Sequence, residues 1–347
     1  MKKTVTTLAD GRELIYYDSR DDLVRTAVDP RPLTPVTSRS EIRYDELTGD
    51  HVAVASHRQD RTYLPPADAC PLCPARDGRE SEIPEEGYEV AVFENRFPSL
   101  SGGVGRCEVV CFTDDHTASF ADLTEERVRL VLDAWTDRTA ALSALPGVQQ
   151  VYCFENRGRE IGVTLPHAHG QIYAFPYVTP RTAHTRRRID EHRRATGRNL
   201  FDDLVARERA DAERVVLETE HWIAFVPYAA KWPYEVHLHP RRRVPDLLAL
   251  DEEARTDFAQ TYLELLRRFD RIFGPAEPPT PYIAAWHQAP FTDERREDFG
   301  LHLELFTVRR ASGKLKFLAG TESGMGAFMN DIRPEDAARR IREVASA

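Results

Sequence analysis

The chain has 347 residues, 41% hydrophobic and 30% charged, with a formal net charge of −10. This is a globular balance sufficient for about two domains, and the negative charge argues against a surface built to hold polyanions such as nucleic acid. The opening segment MKKTVTTLADGRELIYYDSRDD is charged throughout, and nothing later approaches the roughly 18 apolar residues of a membrane span. A soluble, cytoplasmic protein is therefore expected, with neither nucleic acid nor membrane as partner. Five cysteines, few and odd in number, point to metal binding or burial and not to a disulfide scaffold.

In chain order, Cys70 and Cys73 come first, as C-P-L-C after PPADA. Two thiolates at this spacing can reach one tetrahedral metal. The same pair also reads as a redox motif, or, with Cys107 and Cys111, as half of a four-cysteine ribbon. Cys107 and Cys111 stand in the strand pattern RCEVVCF, where small buried cysteines are common, so core positions are favoured for both.

Two stretches then repeat one order of elements, namely strand, acidic-capped helix, strand, histidine pair. In the first, RCEVVCFTDDH ends at His116, a helix opens near Thr124 in LTEERVRLVLDAW, VYCFENRG is strand-like, and HAHGQIYAF supplies His167 and His169. In the second, YEVHLHP ends near His239, LDEEARTDFAQTYLELLRRF is the helix, PYIAAWHQAP the strand, and LHLELF supplies His302 and Glu304. Thr or Asp followed by acids suits a helix N-cap and the helix dipole. The class is α+β, mainly antiparallel sheet flanked by helices, in two related halves, 1–180 and 181–347. The Pro-rich FGPAEPPTP is a loop within the second half. The basic runs RRRIDEHRR and Arg241 to Arg243 read as solvated faces.

The most specific segment is FENRGREIGVTLPHAHGQIYAF. A glycine-bearing loop runs from Asn156 through Gly158 to Gly162 and leads into an H-x-H-G-Q strand, where a period of two points His167 and His169 the same way. Glycines let backbone approach phosphate oxygens, and Thr164 and Gln171 offer side-chain hydrogen bonds to them. Neither a Walker GxxxxGK[ST] nor a GxGxxG after a strand is present, which leaves histidine chemistry for phosphate handling.

These motifs resemble the galactose-1-phosphate uridylyltransferases of the histidine-triad superfamily. The resemblance runs through IRYDELTGDHVAVASHRQDR, CPLC, FENRFP, FTDDH, FENRG to HAHGQIYA, VPYAAKWPYE, WHQAP and KFLAGTESG, nearly the whole chain. It implies two histidine-triad-like halves and an exchange of UDP-glucose and galactose 1-phosphate for UDP-galactose and glucose 1-phosphate, through a uridylyl-histidine on His169. It also implies structural zinc on Cys70, Cys73, His116 and His167, Gln171 on the phosphoryl oxygens, and Arg58 and Arg61 on the substrate's phosphates. Further implied nucleotide-sugar contacts are Asn95, Asn156, Gly162, Val163, Thr164, Lys316, Phe317, Thr321 and Glu322. A homodimer follows from the same likeness. Alternatives are a related nucleotidyltransferase or phosphorylase acting on another nucleotide sugar or a dinucleoside polyphosphate, and a non-catalytic zinc protein.

The sequence departs from the family in three places. Ala168 stands where proline separates the two histidines, a change that activity is expected to survive. Some relatives hold a second metal, iron or zinc, through one Glu and three His; here His287 and His302 match, Glu304 replaces a His, and His184 lies near the expected Glu. Phe328 takes roughly the place of a substrate-contacting glutamine, which bears on sugar specificity.

Overall fold

The computed structural model describes residues 1–35, 39–60, 65–76 and 78–346. They form two compact units, one of Met1–Cys153, Thr164–His184 and Pro290–Glu294, the other of Phe154–Val163, Thr185–Ala289 and Arg295–Ala347.

The first unit holds β1 (Lys2–Thr7), β2 (Glu13–Asp18), the hairpin β3 (Glu41–Asp45) and β4 (Asp50–Val54), β5 (Val90–Glu94), β6 (Arg106–Cys111), α1 (Glu125–Ser143), the first half of β7 (Gln150–Arg157), and β8 (His169–Phe175). Its sheet runs β1-β2-β5-β6-β8-β7, with β1·β2, β2·β5, β5·β6 and β6·β8 antiparallel. Helix α1 starts where the Thr124 hydroxyl accepts from the Arg127 amide at 3.2 Å, with Glu125 and Glu126 in the first turn. Both features satisfy the open amides and positive end of the helix. The helix contacts β2, β5 and β8. Gly170, Ile172 and Ala174 are buried, and His169, Gln171 and Tyr173 alternate with them on the opposite face of β8, half-buried. Cys70, Leu72, Ile83 and Tyr88 pack in one buried cluster with Leu14, Tyr16, Phe93, Val109 and Cys111, so the C-P-L-C segment is itself a cover for the sheet.

The second unit holds most of α2 (Pro180–Thr196), then α3 (Leu200–Asp211), β9 (Val215–Glu218), β10 (Trp222–Phe225), β11 (Val236–Pro240), α4 (Glu252–Arg271), β12 (Tyr282–His287), β13 (His302–Phe306), the small β14 (Arg309–Ala311) and β15 (Lys314–Leu315), α5 (Gly320–Met325) and α6 (Pro334–Glu343). Its sheet runs from the second half of β7 through β12-β13-β11-β10 to β9. Asp251 caps α4 by accepting from the Ala254 amide at 2.9 Å. Phe258, Tyr262, Leu265, Leu266 and Phe269 form the buried side of that helix, and Trp222 of β10 packs against Phe258 and Trp286.

Strand order repeats between the units. β2-β5-β6-β8-β7 corresponds to β9-β10-β11-β13-β12, with α1 and α4 in the equivalent connection. The α+β class and the repeated order of elements are thus the ones the sequence implies. Among the described residues no helix is long and apolar enough to cross a membrane. The basic runs are ion-paired near the surface, Arg188 with Glu191, Arg241 with Glu218, Arg242 with Asp251 and Arg243 with Asp202.

Candidate active site

His169 is the first residue of β8, opposite Cys111 on β6, with Gln171 two residues on and opposite Val109. The His169 Nδ1–H donates to the carbonyl of His167 at 2.7 Å. That bond fixes the tautomer, so Nε2 carries the lone pair, and Nε2 has no hydrogen-bond partner among the described residues. Burial holds the imidazole below its ordinary range, against the raising effect of the bond to His167. The ring is therefore neutral near pH 7, as a nucleophile or a ligand must be.

His169 lines a cavity of about 350 Å³ together with Arg58, Asn95, Arg96, Thr164 and Gln171. Arg58 is steadied by the Tyr173 hydroxyl, to which its Nη1 donates at 3.3 Å. The Asn95 side-chain oxygen accepts from the Phe97 amide at 2.9 Å, which fixes the orientation of its amide group. Arg96 is 43% exposed and 4.0 Å from Glu82, far enough for its charge to serve an anion in the cavity. A lone-pair nitrogen, amides, a hydroxyl and guanidinium groups around one hollow make a phosphoryl-binding environment. Two of these side chains, Arg96 and Tyr173, were not singled out from sequence. The signal was there for both, since Arg96 lies in FENRFP and Tyr173 follows His169 at a period of two within the strand.

Beside the cavity Cys70, Cys73, His116 and His167 converge, their ligand atoms all within 4.8 Å of one another. Cys73 Sγ lies 3.3 Å from His116 Nδ1 and 3.5 Å from His167 Nδ1, and Cys70 Sγ lies 3.9 Å from His167 Nδ1. Bonds of about 2.3 Å to sulfur and 2.0–2.1 Å to nitrogen at a tetrahedral angle place S and N about 3.6 Å apart, so the group matches the dimensions of a closed metal site. Burial pushes the Cys70 thiol up to about 11, and holding it as thiolate takes a nearby cation. His167, buried, is pushed down to about 4, chiefly by desolvation. Its Nε2 contacts the Thr113 carbonyl at 2.7 Å and the Tyr88 hydroxyl at 3.0 Å. With Nε2–H donating to Thr113, Nδ1 is the lone-pair nitrogen and faces the sulfurs. Cys107 and Cys111 are fully buried and stand outside this group, as core positions.

The other expected residues fall as follows. Arg61 lies outside the described residues. Asn156 is in β7, paired with Ile283 of β12. Gly158, with φ 104°, and Gly162, with φ 81°, bracket a single 3-10 turn, and a Cβ on Gly158 would lie 2.6 Å from Pro281 Cβ. The Val163 amide donates to the Gly158 carbonyl at 3.4 Å. These residues belong to the second unit, whereas Thr164 belongs to the first. Lys316 is buried and its ammonium donates to Glu322 Oε1 at 2.9 Å and to the Met329 carbonyl. The hydrogen bond from Lys316 holds the Glu322 carboxyl down at about 2, and the Thr321 hydroxyl donates to the same carboxylate at 3.0 Å. Phe317 is exposed. Phe328 receives the Lys231 ammonium over its ring at 5.0 Å. Ala168 is buried and its carbonyl accepts from the Phe112 amide.

Of the four residues expected at a second metal, His287 Nε2 and Glu304 Oε2 meet at 2.9 Å, and the His302 ring stacks on His287 with centroids 4.8 Å apart. His184 ends a segment of the first unit. In the second unit, the ligand atoms gathered within 4.8 Å of one another are those of Glu235, His237 and Glu304.

Residues 101–179 match the family described as galactose-1-phosphate uridyl transferase, N-terminal domain, and residues 184–347 its C-terminal domain. The galactose-1-phosphate uridylyltransferase of Streptomyces lividans is 61% identical over 354 residues, 99% of this chain and 98% of that protein. The chain belongs to the galactose-1-phosphate uridylyltransferase family. The Thermotoga maritima member is 36% identical over 325 residues, 87% of this chain and 98% of that protein. Among solved structures, a uridylyltransferase is similar with a TM-score of 0.77 at 32% identity, covering 87% of this chain and 98% of that one. An ADP-glucose phosphorylase from Arabidopsis thaliana with bound ADP-glucose shares the fold, with a TM-score of 0.70 at 22% identity over 89% of this chain and 99% of that one. As a member of the galactose-1-phosphate uridylyltransferase family, the chain is a transferase enzyme of galactose metabolism.

Proposed function

We propose that this enzyme exchanges UDP-glucose and galactose 1-phosphate for glucose 1-phosphate and UDP-galactose by double displacement on His169. The observation that carries the reading is the His169 ring itself, with Nδ1–H tied to the His167 carbonyl at 2.7 Å and Nε2 on a cavity lined by Gln171, Arg58 and Thr164. The Nε2 lone pair attacks the α-phosphorus, the phosphorus–oxygen bond to glucose 1-phosphate breaks, and a uridylyl-imidazolium forms. A phosphate oxygen of galactose 1-phosphate then attacks the same phosphorus, and the nitrogen–phosphorus bond breaks with its electron pair returning to Nε2. The Nδ1 proton stays in place throughout, and its bond to the carbonyl strengthens while the ring is cationic. Sugar phosphates are weak bases at neutral pH, so the leaving group asks for no strong general acid. The chemistry rests on positioning and on neutralising phosphate charge, by Gln171, Arg58 and Arg96.

Zinc is the ion we assign to Cys70, Cys73, His116 and His167. Held by these four residues it would supply rigidity and not an open position for substrate. His167, fixed in this way, would orient His169 through its carbonyl. The same reading assigns Arg61, Asn156, Gly162, Val163, Phe317 and Thr321 to the nucleotide sugar by family likeness, with a cytoplasmic homodimer as the working form. Lys316 and Glu322 enter it as a pair, each neutralising the other before substrate arrives.

Intact-protein mass after mixing with UDP-glucose alone tests the reading, with His169→Gly as control. A uridylyl adduct in the wild type only, with glucose 1-phosphate released, is the expected result. An adduct with ADP-glucose in its place would make the enzyme a relative acting on another nucleotide sugar. No adduct with any donor, in metal-loaded protein, would overturn the covalent mechanism.

A further inference from the structure

We propose that the ion pair between Glu160 and Arg309 positions the glycine-bearing loop 158–163 for the nucleotide sugar, with Arg309 acting through Glu160. The inference rests on the assignment of Gly162, Val163 and Lys316 to that ligand. The loop leaves β7 at Gly158, which lies so close to Pro281 that no side chain fits there, and continues as the single turn Arg159–Ile161. Two of its internal bonds are long, since the Ile161 and Val163 amides donate to the Gly158 carbonyl at 3.3 Å and 3.4 Å. The Gly162 amide donates to the Arg159 carbonyl at 2.9 Å. One 3-10 turn with bonds of this kind does not hold its amides in place by itself.

The firm contact runs outward from the turn. Glu160 Oε1 accepts from Arg309 Nη2 at 2.8 Å, and Arg309 Nη1 donates to the Pro278 carbonyl at 2.8 Å. One guanidinium therefore fastens the loop to the segment on which Gly158 rests. The Arg309 side chain is 4% exposed and that of Glu160 30%, and the guanidinium carbon lies 5.6 Å from the centre of the Phe273 ring. Among the described residues Glu160 is the one carboxylate within ion-pair distance of this buried cation. A buried charge stripped of its partner is costly, so the pairing keeps Glu160 in one place on an otherwise exposed turn. Arg309 is tied to the Lys316 segment as well. It pairs with Leu315 between β14 and β15, and the Lys316 amide donates to the Val308 carbonyl at 2.7 Å. Two segments far apart in the chain, both assigned to the nucleotide sugar, are thus held by one residue. In a site that works by positioning, a displacement of about 1 Å costs on the order of 10²-fold.

Full-length, metal-loaded Glu160→Ala, Glu160→Gln, Arg309→Met and the double variant Glu160→Ala/Arg309→Met test this. UDP affinity is read by calorimetry, and glucose 1-phosphate release is followed against UDP-glucose concentration. Glu160→Ala and Arg309→Met should each weaken UDP binding and raise the half-saturating UDP-glucose concentration about tenfold, with the limiting rate within about twofold of wild type. The double variant should be no weaker than either single one, as two residues acting as one unit are. Glu160→Gln keeps an acceptor oxygen for Arg309 and should recover part of the loss. Because Glu160 lies on an exposed turn, its variants give the answer even where Arg309→Met lowers the folded fraction. A loss confined to the limiting rate, or losses that add in the double variant, would overturn the inference. Calorimetric binding needs no covalent step, so weaker UDP binding in Glu160→Ala supports the inference even in a protein that forms no uridylyl adduct. An adduct in the wild type together with UDP affinity in Glu160→Ala within about twofold of it would overturn the inference and leave the His169 mechanism standing.

Discussion

His169 opens β8 in the first unit and His302 opens β13 in the second, and each ring binds through Nδ1 the carbonyl two residues back, at 2.7 Å and 2.8 Å. Around this shared geometry the surroundings diverge. His169 is half-buried on a cavity with Gln171 beside it. His302 is buried, its ring stacked on His239 at 4.9 Å and on His287 at 4.8 Å. Burial, then the neighbouring imidazoles, hold His302 and His239 well below the ordinary range, so both are neutral. The repeated fold sets the tautomer in both units, and what packs over the strand decides whether the ring lines a cavity or packs among other side chains.

The sharpest break in that comparison is a paired deletion. His169→Ala should lower uridylyl transfer by on the order of 10⁴-fold or more, as loss of a covalent nucleophile does, while His302→Ala should stay within about tenfold per folded molecule in single-turnover assays. Equal losses would mean that the two rings are not divided by role. Next in size is Gln171→Ala, which removes the cavity side chain proposed to donate to the phosphoryl oxygens and should cost about 10²–10³-fold in kcat.

Tyr88→Phe comes third. It deletes a hydroxyl 3.0 Å from His167 Nε2 while keeping the ring in its buried cluster, and should weaken metal binding at Cys70/Cys73 by about 10–100-fold in chelator competition. The smallest effect is on pH. Because burial lowers the His169 pKa, the reactive neutral form is lost only as pH falls below about 6.5, and glucose 1-phosphate release should change by no more than about 1.3-fold between pH 7 and 8. An acid limb centred above pH 7 in rapid-mixing measurements would mean that a nearby anion, and not burial, governs the ring.

Much of this was legible along the chain. Thr124 and Asp251 announced two helices because a capping oxygen followed by acids is a local signal, and the repeated order of elements is found again in the strand order of the two units. Likeness to the family pointed to the C-P-L-C pair, His116 and His167 as one ligand set, and the four side chains converge in the fold. The site around Lys316 was less legible, since its ammonium meets Glu322 at 2.9 Å, a contact made by a chain reversal that no local pattern encodes.

The sequence by itself determined the two capped helices and the period of two along the H-x-H-G-Q strand, short-range consequences of side-chain chemistry and backbone geometry, whereas the meeting of Cys70 and Cys73 with His116 and His167 spans 43 to 97 residues. Only the tertiary structure decided that Tyr88 backs His167, that Arg96 joins the cavity, and that Glu235 and His237 meet Glu304. Those meetings depend on which strands pair and in what register, and strand pairing is settled by the burial of whole faces and not by any one segment.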